Sequence, residues 1–122
     1  MCGIGGFVSF TRGAAEREDR LATLRRMSAQ IAHRGPDDDQ FYDDDQLSLV
    51  FRRLSIVDVG GGRQPIWNED ESAFVCVNGE LYNHRELRGT LREPHVFRTA
   101  SDSEIALHLY EELGPSFATK LA

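Results

Sequence analysis

Apolar and small residues alternate at the start of the chain. Across residues 2–10 the larger side chains Ile4, Phe7, Val8 and Phe10 are set among glycines, which predicts a glycine-rich first strand. The period then lengthens. From about Ala14 to His33, Leu21, Leu24, Met27 and Ile31 fall at helical spacing, with Glu16, Glu18 and Asp19 early and Arg25 and Arg26 later, which predicts an amphipathic helix with its stripe turned to a core. Gly35 near the C-cap and Pro36 beyond it supply a stop. Residues 47–51 and 73–77 are short apolar runs bounded by turn residues and read as strands. Between them, residues 60–65 read as a loop leading to Ile66-Trp67 and a polar hairpin turn over 68–72. Asn83, with Glu86 three residues on, is a capping candidate for a short helix through about Leu91. Ser101-Asp102-Ser103-Glu104 is a capping box before Ile105, Leu107, Leu109, Tyr110 and Leu113, and Gly114-Pro115 ends that helix.

Composition narrows the class. At 122 residues, 40% hydrophobic and 28% charged, the chain has room for one globular domain at most. A net charge of -6 argues against a nucleic-acid partner, since phosphate binding rewards clustered Lys and Arg. The basic residues are mostly arginine, whose forked guanidinium suits carboxylates, although solubility explains most of them. With no apolar run near the ~20 residues that span a bilayer and no signal-peptide pattern, no membrane partner is expected and the localisation expected is cytoplasmic. The two cysteines, Cys2 and Cys76, lack the spacing of a zinc or redox motif, and Cys76 reads as a small buried hydrophobe.

The candidate chemistry lies at Met1-Cys2-Gly3. Once Met1 is removed, Cys2 carries a thiol, of reference pKa about 8.5, and an α-amino group near roughly 7.7–8.0. Nucleophile and general base then sit on one residue and exchange a proton at neutral pH. A second-position cysteine also arises by accident, so other residues must support the role. The aspartates at 37–39 and 43–45 bracket Gln40-Phe41-Tyr42 without the glycine and terminal glutamate of an EF-hand, and read as a solvated loop and hairpin. His84, His95 and His108 have no metal-like spacing, and no metal site is expected. His33 lies in a Gly-Pro turn, where a structural hydrogen bond is the commoner use of the ring.

Four sequence islands change the picture: Met1-Cys2-Gly3-Ile4, His33-Arg34-Gly35-Pro36-Asp37, Arg53-Leu54-Ser55-Ile56-Val57-Asp58 and Asn78-Gly79-Glu80-Leu81-Tyr82-Asn83, followed by Ser101-Asp102-Ser103-Glu104. In order and spacing they resemble the glutaminase domain of class II glutamine amidotransferases, nearest to that of asparagine synthetases. The resemblance covers nearly the whole chain. It implies an α+β fold of the N-terminal nucleophile hydrolase type, an αββα sandwich. It implies that Cys2 attacks the side-chain amide of L-glutamine, releases ammonia and leaves a glutamyl thioester for water. Asn78 and the Gly79 N–H would form the oxyanion hole. Arg53 would grip the α-carboxylate, Asp102 and Glu80 would surround the α-ammonium, and backbone groups of Leu54, Ile56 and Val57 would line the pocket. Each residue has a plainer reading: Asp102 as a helix cap, Asn78-Gly79 as a hairpin turn, Arg53 as a surface arginine. Gln40 in place of a glycine, Phe51-Arg52 in place of a small residue and histidine, and Leu81 in place of isoleucine depart from the family pattern, outside the catalytic set.

By the same resemblance, residues 1–122 would form the N-terminal part of the glutaminase domain. Further strands completing the sandwich, and an ATP-using synthetase domain, are expected beyond it in the family. No cofactor is expected in this segment; ATP and Mg belong to the synthetase domain, which receives the ammonia. Uncovered strand edges point to an association-prone fragment, with a homodimer among the outcomes. Two other readings stay open: an amidotransferase with another acceptor, and a non-catalytic remnant that binds through its edges.

Overall fold

The computed structural model describes residues 2–10, 16–54 and 63–122. Residues 11–15 and 55–62, which include Ala14, Ile56, Val57 and the triple glycine, lie outside the described residues. The chain divides into two compact units, Met1–Ile56 and Val57–Ala122. Their elements make the protein mixed α and β.

The first unit holds β1 (Gly3–Val8), α1 (Arg17–Gln30), β2 (Asp38–Asp43) and β3 (Leu47–Arg53). The strands are antiparallel in the order β1-β3-β2. The most apolar strand takes the middle, where both of its edges are paired. Val50 stands opposite Gly5 on one side and Phe41 on the other, and Val50 and Leu24 of α1 are fully buried. A Cβ on Gly5 would meet Val50 at 3.4 Å and Met27 at 3.5 Å, so this position faces the contact between sheet and helix. Polar anchors flank this apolar centre: Ser28 donates to Asp39 at 3.2 Å, and Arg20 Nε and Nη2 donate to Asp43 at 3.0 Å each.

Two expectations are corrected here. The hairpin expected around the aspartates is present, but residues 38–43 are its strand β2 rather than a solvated loop. The Asp43 side chain is 3% exposed and accepts from Arg20 and from Ser48 Oγ, the latter at 2.6 Å; the Arg20 guanidinium holds its carboxyl below the usual range. Asp44 closes the β2–β3 turn by accepting the N–H groups of Gln46 at 2.8 Å and Leu47 at 2.6 Å, an aspartate turn of the ordinary kind. Helix α1 ends at Gln30, short of His33. The Ile31 N–H is shared between the Met27 and Ser28 carbonyls, and residues 31–34 form a turn. Gly35 is therefore not a cap. A Cβ there would lie 2.4–2.6 Å from the backbone of Arg52 and Arg53, so glycine lets the chain cross the end of β3.

The second unit holds β4 (Ile66–Trp67), β5 (Phe74–Val75), α2 (His84–Arg88), α3 (Glu104–Leu113) and a 3₁₀ segment (Gly114–Lys120). Its core gathers Leu87, Ile105 and Leu109, with Leu81, Leu91, Phe97, Phe117 and Leu121 packed against them. Residues 104–109 of α3 are all buried. The second strand is shorter than the expected 73–77 because a side chain takes over its pairing. Gln64 accepts the Val77 N–H at 2.6 Å and donates to the Val77 carbonyl at 3.0 Å. Cys76 is half-buried, and burial pushes its thiol up to about 11, which leaves it protonated and unreactive at neutral pH.

The helix starts are also corrected. Asn83 precedes α2 without capping it; its amide instead donates to the Lys120 carbonyl at 2.8 Å and accepts the Ala122 N–H at 3.1 Å. That helix stops at Arg88, before Leu91. At α3 the capping box is made only in part: the Ser101 hydroxyl accepts the Ser103 N–H at 3.2 Å, while Glu104 reaches past Ser101 to residues further back. Ser103 makes no side-chain cap, and Glu104, fully buried, reaches back to the N–H groups of Arg98 at 2.6 Å and Thr99 at 2.8 Å and to the Thr99 hydroxyl at 2.6 Å. The α-helix ends at Leu113 as expected, and the chain continues in the 3₁₀ segment.

Candidate functional site

The described residues of the first two islands meet Arg53 and Leu54 of the third in the first unit. The Cys2 thiol points to the Leu54 carbonyl, with Sγ 4.0 Å from the oxygen. The Cys2 carbonyl accepts from Arg34 Nε at 3.3 Å, and the Asp37 N–H donates to the Arg53 carbonyl at 3.1 Å. The sheet explains the convergence. Gly3 pairs with Arg52, so continuing the register by one residue sets Cys2 level with Arg53. A Cβ on Gly3 would lie 3.2–3.5 Å from the side chains of Ile31 and Arg34, so this position faces the helical side. By the two-residue period Cys2 and Arg53 therefore stand on the sheet face away from α1. Cys2, Arg53 and Leu54 are all half-buried, a position in which a thiol is sheltered yet reachable.

In the second unit, Asn78, Gly79 and Glu80 follow β5 and are exposed. The hairpin-turn reading of Asn78-Gly79 is corrected. Among the described residues positive φ occurs at Glu71 and Gly114, whereas a two-residue type I′ turn needs it at both central positions; the β4–β5 turn lies earlier, over 68–73. A Cβ at Gly79 would meet nothing within 4 Å, so its backbone stands open. The Gln64 clamp on Val77 fixes the chain just before Asn78. Asp102 does not cap α3 either. Its carboxylate accepts the Leu81 N–H at 2.5 Å, while the hydroxyls of Ser101 and Ser103 lie 3.4 Å and 3.5 Å from its other oxygen. That bond places Asp102 beside the strand exit that carries Glu80. Ile56 and Val57 lie outside the described residues. The shallow concavity of α1 lined by Thr23, Arg26, Met27, Ala29 and Gln30 contains none of these groups.

His33 is exposed in its turn. His95 and His108, which have no metal-like spacing along the chain, are brought together by the fold with Glu69 and Glu111, one potential ligand atom of each lying within 4.8 Å of the others. The part of this cluster legible in the chain was His108 with Glu111, three residues apart on one helical face. Glu69, in the β4–β5 turn, and His95 arrive only through folding. Among the described residues no helix is long and apolar enough to cross a membrane.

Comparison with known proteins bears on the whole chain. A family model described as a glutamine amidotransferase domain matches residues 1–122. The chain is 44% identical over 117 residues to asparagine synthetase [glutamine-hydrolyzing] 2 of Bacillus subtilis, covering 96% of this chain and 15% of that relative. It is 40% identical over 121 residues to asparagine synthetase B [glutamine-hydrolyzing] of Escherichia coli, covering 99% of this chain and 21% of the relative. Against asparagine synthetase [glutamine-hydrolyzing] 1 of Arabidopsis thaliana the identity is 41%, over 99% of this chain and 20% of the relative. The chain thus spans about a fifth or less of the length of these curated relatives. Matched from end to end by that family model, the chain belongs to the glutamine amidotransferase domain family, a family of enzymes.

Proposed function

We propose that this chain carries the glutamine-hydrolysing half-reaction of an asparagine-synthetase-like amidotransferase. The placement of Cys2 supports the reading most directly: its Sγ faces the Leu54 carbonyl at 4.0 Å, level with Arg53 on one sheet face. With Met1 removed, the Cys2 α-amino group takes the thiol proton and the thiolate attacks the amide carbon of L-glutamine. Asn78 and the Gly79 N–H donate to the oxygen as it gains charge. The C–N bond breaks, the same amino group protonates the leaving ammonia, and water cleaves the thioester to glutamate and free thiol. Arg53 holds the α-carboxylate in a bidentate pair, Glu80 and Asp102 hold the α-ammonium, and the backbone of Leu54, Ile56 and Val57 lines the pocket.

In this reading the ammonia passes to a synthetase domain that uses ATP and Mg to amidate aspartate, and the complete glutaminase domain is the αββα sandwich of N-terminal nucleophile hydrolases. The decisive measurement is ammonia release from glutamine by the processed protein and by its Cys2→Ala form. Loss of release in the variant is the expected result. Undiminished release from the variant overturns the assignment.

A further inference from the structure

We propose that Glu69, His95, His108 and Glu111 form a binding site for a zinc-class divalent metal ion, which fastens the β4–β5 turn and the 91–103 segment to α3. The four residues come from three separate stretches of the second unit. His95 Nδ1 lies 3.8 Å from Glu69 Oε1 and 3.5 Å from Glu111 Oε2, and His108 Nδ1 lies 2.8 Å from the same Glu111 oxygen. Ligand atoms around a tetrahedral zinc, at bond lengths of roughly 2.0–2.1 Å, stand about 3.3 Å apart. These three separations bracket that value, and all four ligand atoms lie within 4.8 Å of one another.

The nitrogens turned away from this centre are the stronger argument. An imidazole that binds a metal through Nδ1 carries its proton on Nε2 and needs an acceptor there, most often a carboxylate. His95 Nε2 has Glu112 Oε1 at 3.2 Å, and His108 Nε2 has Glu104 Oε1 at 3.7 Å. His108 is fully buried, and its Nε2 has no hydrogen-bond partner. Metal binding at Nδ1 makes that atom an N–H aimed at the Glu104 carboxylate. The carboxylates are themselves held. Glu111 Oε1 accepts from Asn68 Nδ2 at 2.8 Å, and Glu69 Oε1 accepts the Val96 N–H at 2.6 Å.

Charge favours the same conclusion. Glu69, Glu104, Glu111 and Glu112 surround the two rings, whose centroids are 4.5 Å apart. Four carboxylates around two rings leave the cluster with a negative excess that a dication meets. Imidazole and carboxylate donors suit zinc, and four protein ligands close the coordination sphere as in structural sites. Exposed Glu69 and Glu111 leave a route for the ion from solvent.

The test uses the full chain, stripped with a chelator and titrated with ZnCl2 and CoCl2. One ion per chain is expected, with visible bands of tetrahedral cobalt, a higher melting temperature, and zinc-edge absorption showing two imidazoles and no sulfur. Glu111→Gln should abolish saturable binding. Glu112→Gln, which keeps all four ligands, should weaken binding about 10- to 100-fold. Absence of saturable binding overturns the site and leaves the cluster as ion pairs among histidines and carboxylates. A sulfur ligand, or binding undiminished by Glu111→Gln, also overturns it by placing the ion elsewhere. The absorption spectrum of the unaltered protein decides the matter even if a variant fails to fold.

Discussion

The two units hold their candidate residues by different means. In the first, Cys2 and Arg53 are placed by main chain: the β1–β3 register brings them level, and Gly35 lets residues 35–37 lie against the end of β3. In the second, the long connection between α2 and α3 has no ladder and is held by carboxylates. Glu112 accepts the N–H groups of Arg92 and Glu93, Glu69 that of Val96, Glu104 those of Arg98 and Thr99, and Asp102 that of Leu81. Every sheltered backbone donor needs a partner. A sheet supplies partners from its own main chain, whereas this irregular segment takes most of its acceptors from side chains, chiefly carboxylates. The first arrangement is therefore sensitive to added volume and the second to lost acceptors.

The largest effect expected is catalytic. Cys2→Ala should lower glutamine hydrolysis by about 10⁴-fold or more while leaving the melting temperature unchanged, because a half-buried terminal side chain contributes little packing. Next, Glu104→Ala should destabilise the protein by about 3 kcal/mol, since two N–H groups and a hydroxyl lose their acceptor. Glu104→Gln, which keeps an acceptor, should recover part of this, and amide exchange at Arg98 and Thr99 should report it. Equal losses from the two variants would break the contrast between clamp and ladder.

Gly35→Ala should cost about 2 kcal/mol, because its Cβ meets backbone rather than a flexible side chain. It should also raise the KM for glutamine more than it lowers kcat, through displacement of Arg53. An unchanged KM would sever the proposed link between the turn and Arg53. The smallest effect expected is acid sensitivity of the β2–β3 hairpin. Arg20 depresses the Asp43 carboxyl in the folded state, so its contribution is present above the unfolded value of about 3.9 and is lost as pH falls through the lower folded value. Acid unfolding of Asp43→Asn should show a shallower pH dependence over that window.

Most elements were legible because period and punctuation act locally: the first strand, the α1 stripe, β3, the β4–β5 hairpin and the Gly114 stop all follow from neighbouring residues. Apart from element ends and Gly35, the misreadings were polar. Asp43 reads as solvent-facing until Arg20 of α1 and Ser48 of β3 reach it, Glu104 reads as half of a capping box until it serves the preceding segment, and Asn83 reads as a cap until Lys120 and Ala122 return to it. A polar side chain has several local uses of similar energy, and distant partners choose among them.

By itself the sequence determined the family, through the islands behind Cys2, and with it the list of residues to which a glutaminase role is assigned. It also determined where most strands and helices lie, because hydrophobic periodicity is a short-range property. Only the tertiary structure decided that Cys2 faces the Leu54 carbonyl and that Asp102 holds Leu81 instead of a helix end. It alone gathered Glu69, His95, His108 and Glu111 into one cluster. Their meeting depends on how a turn, an irregular segment and a buried helix pack, and no local pattern encodes that packing.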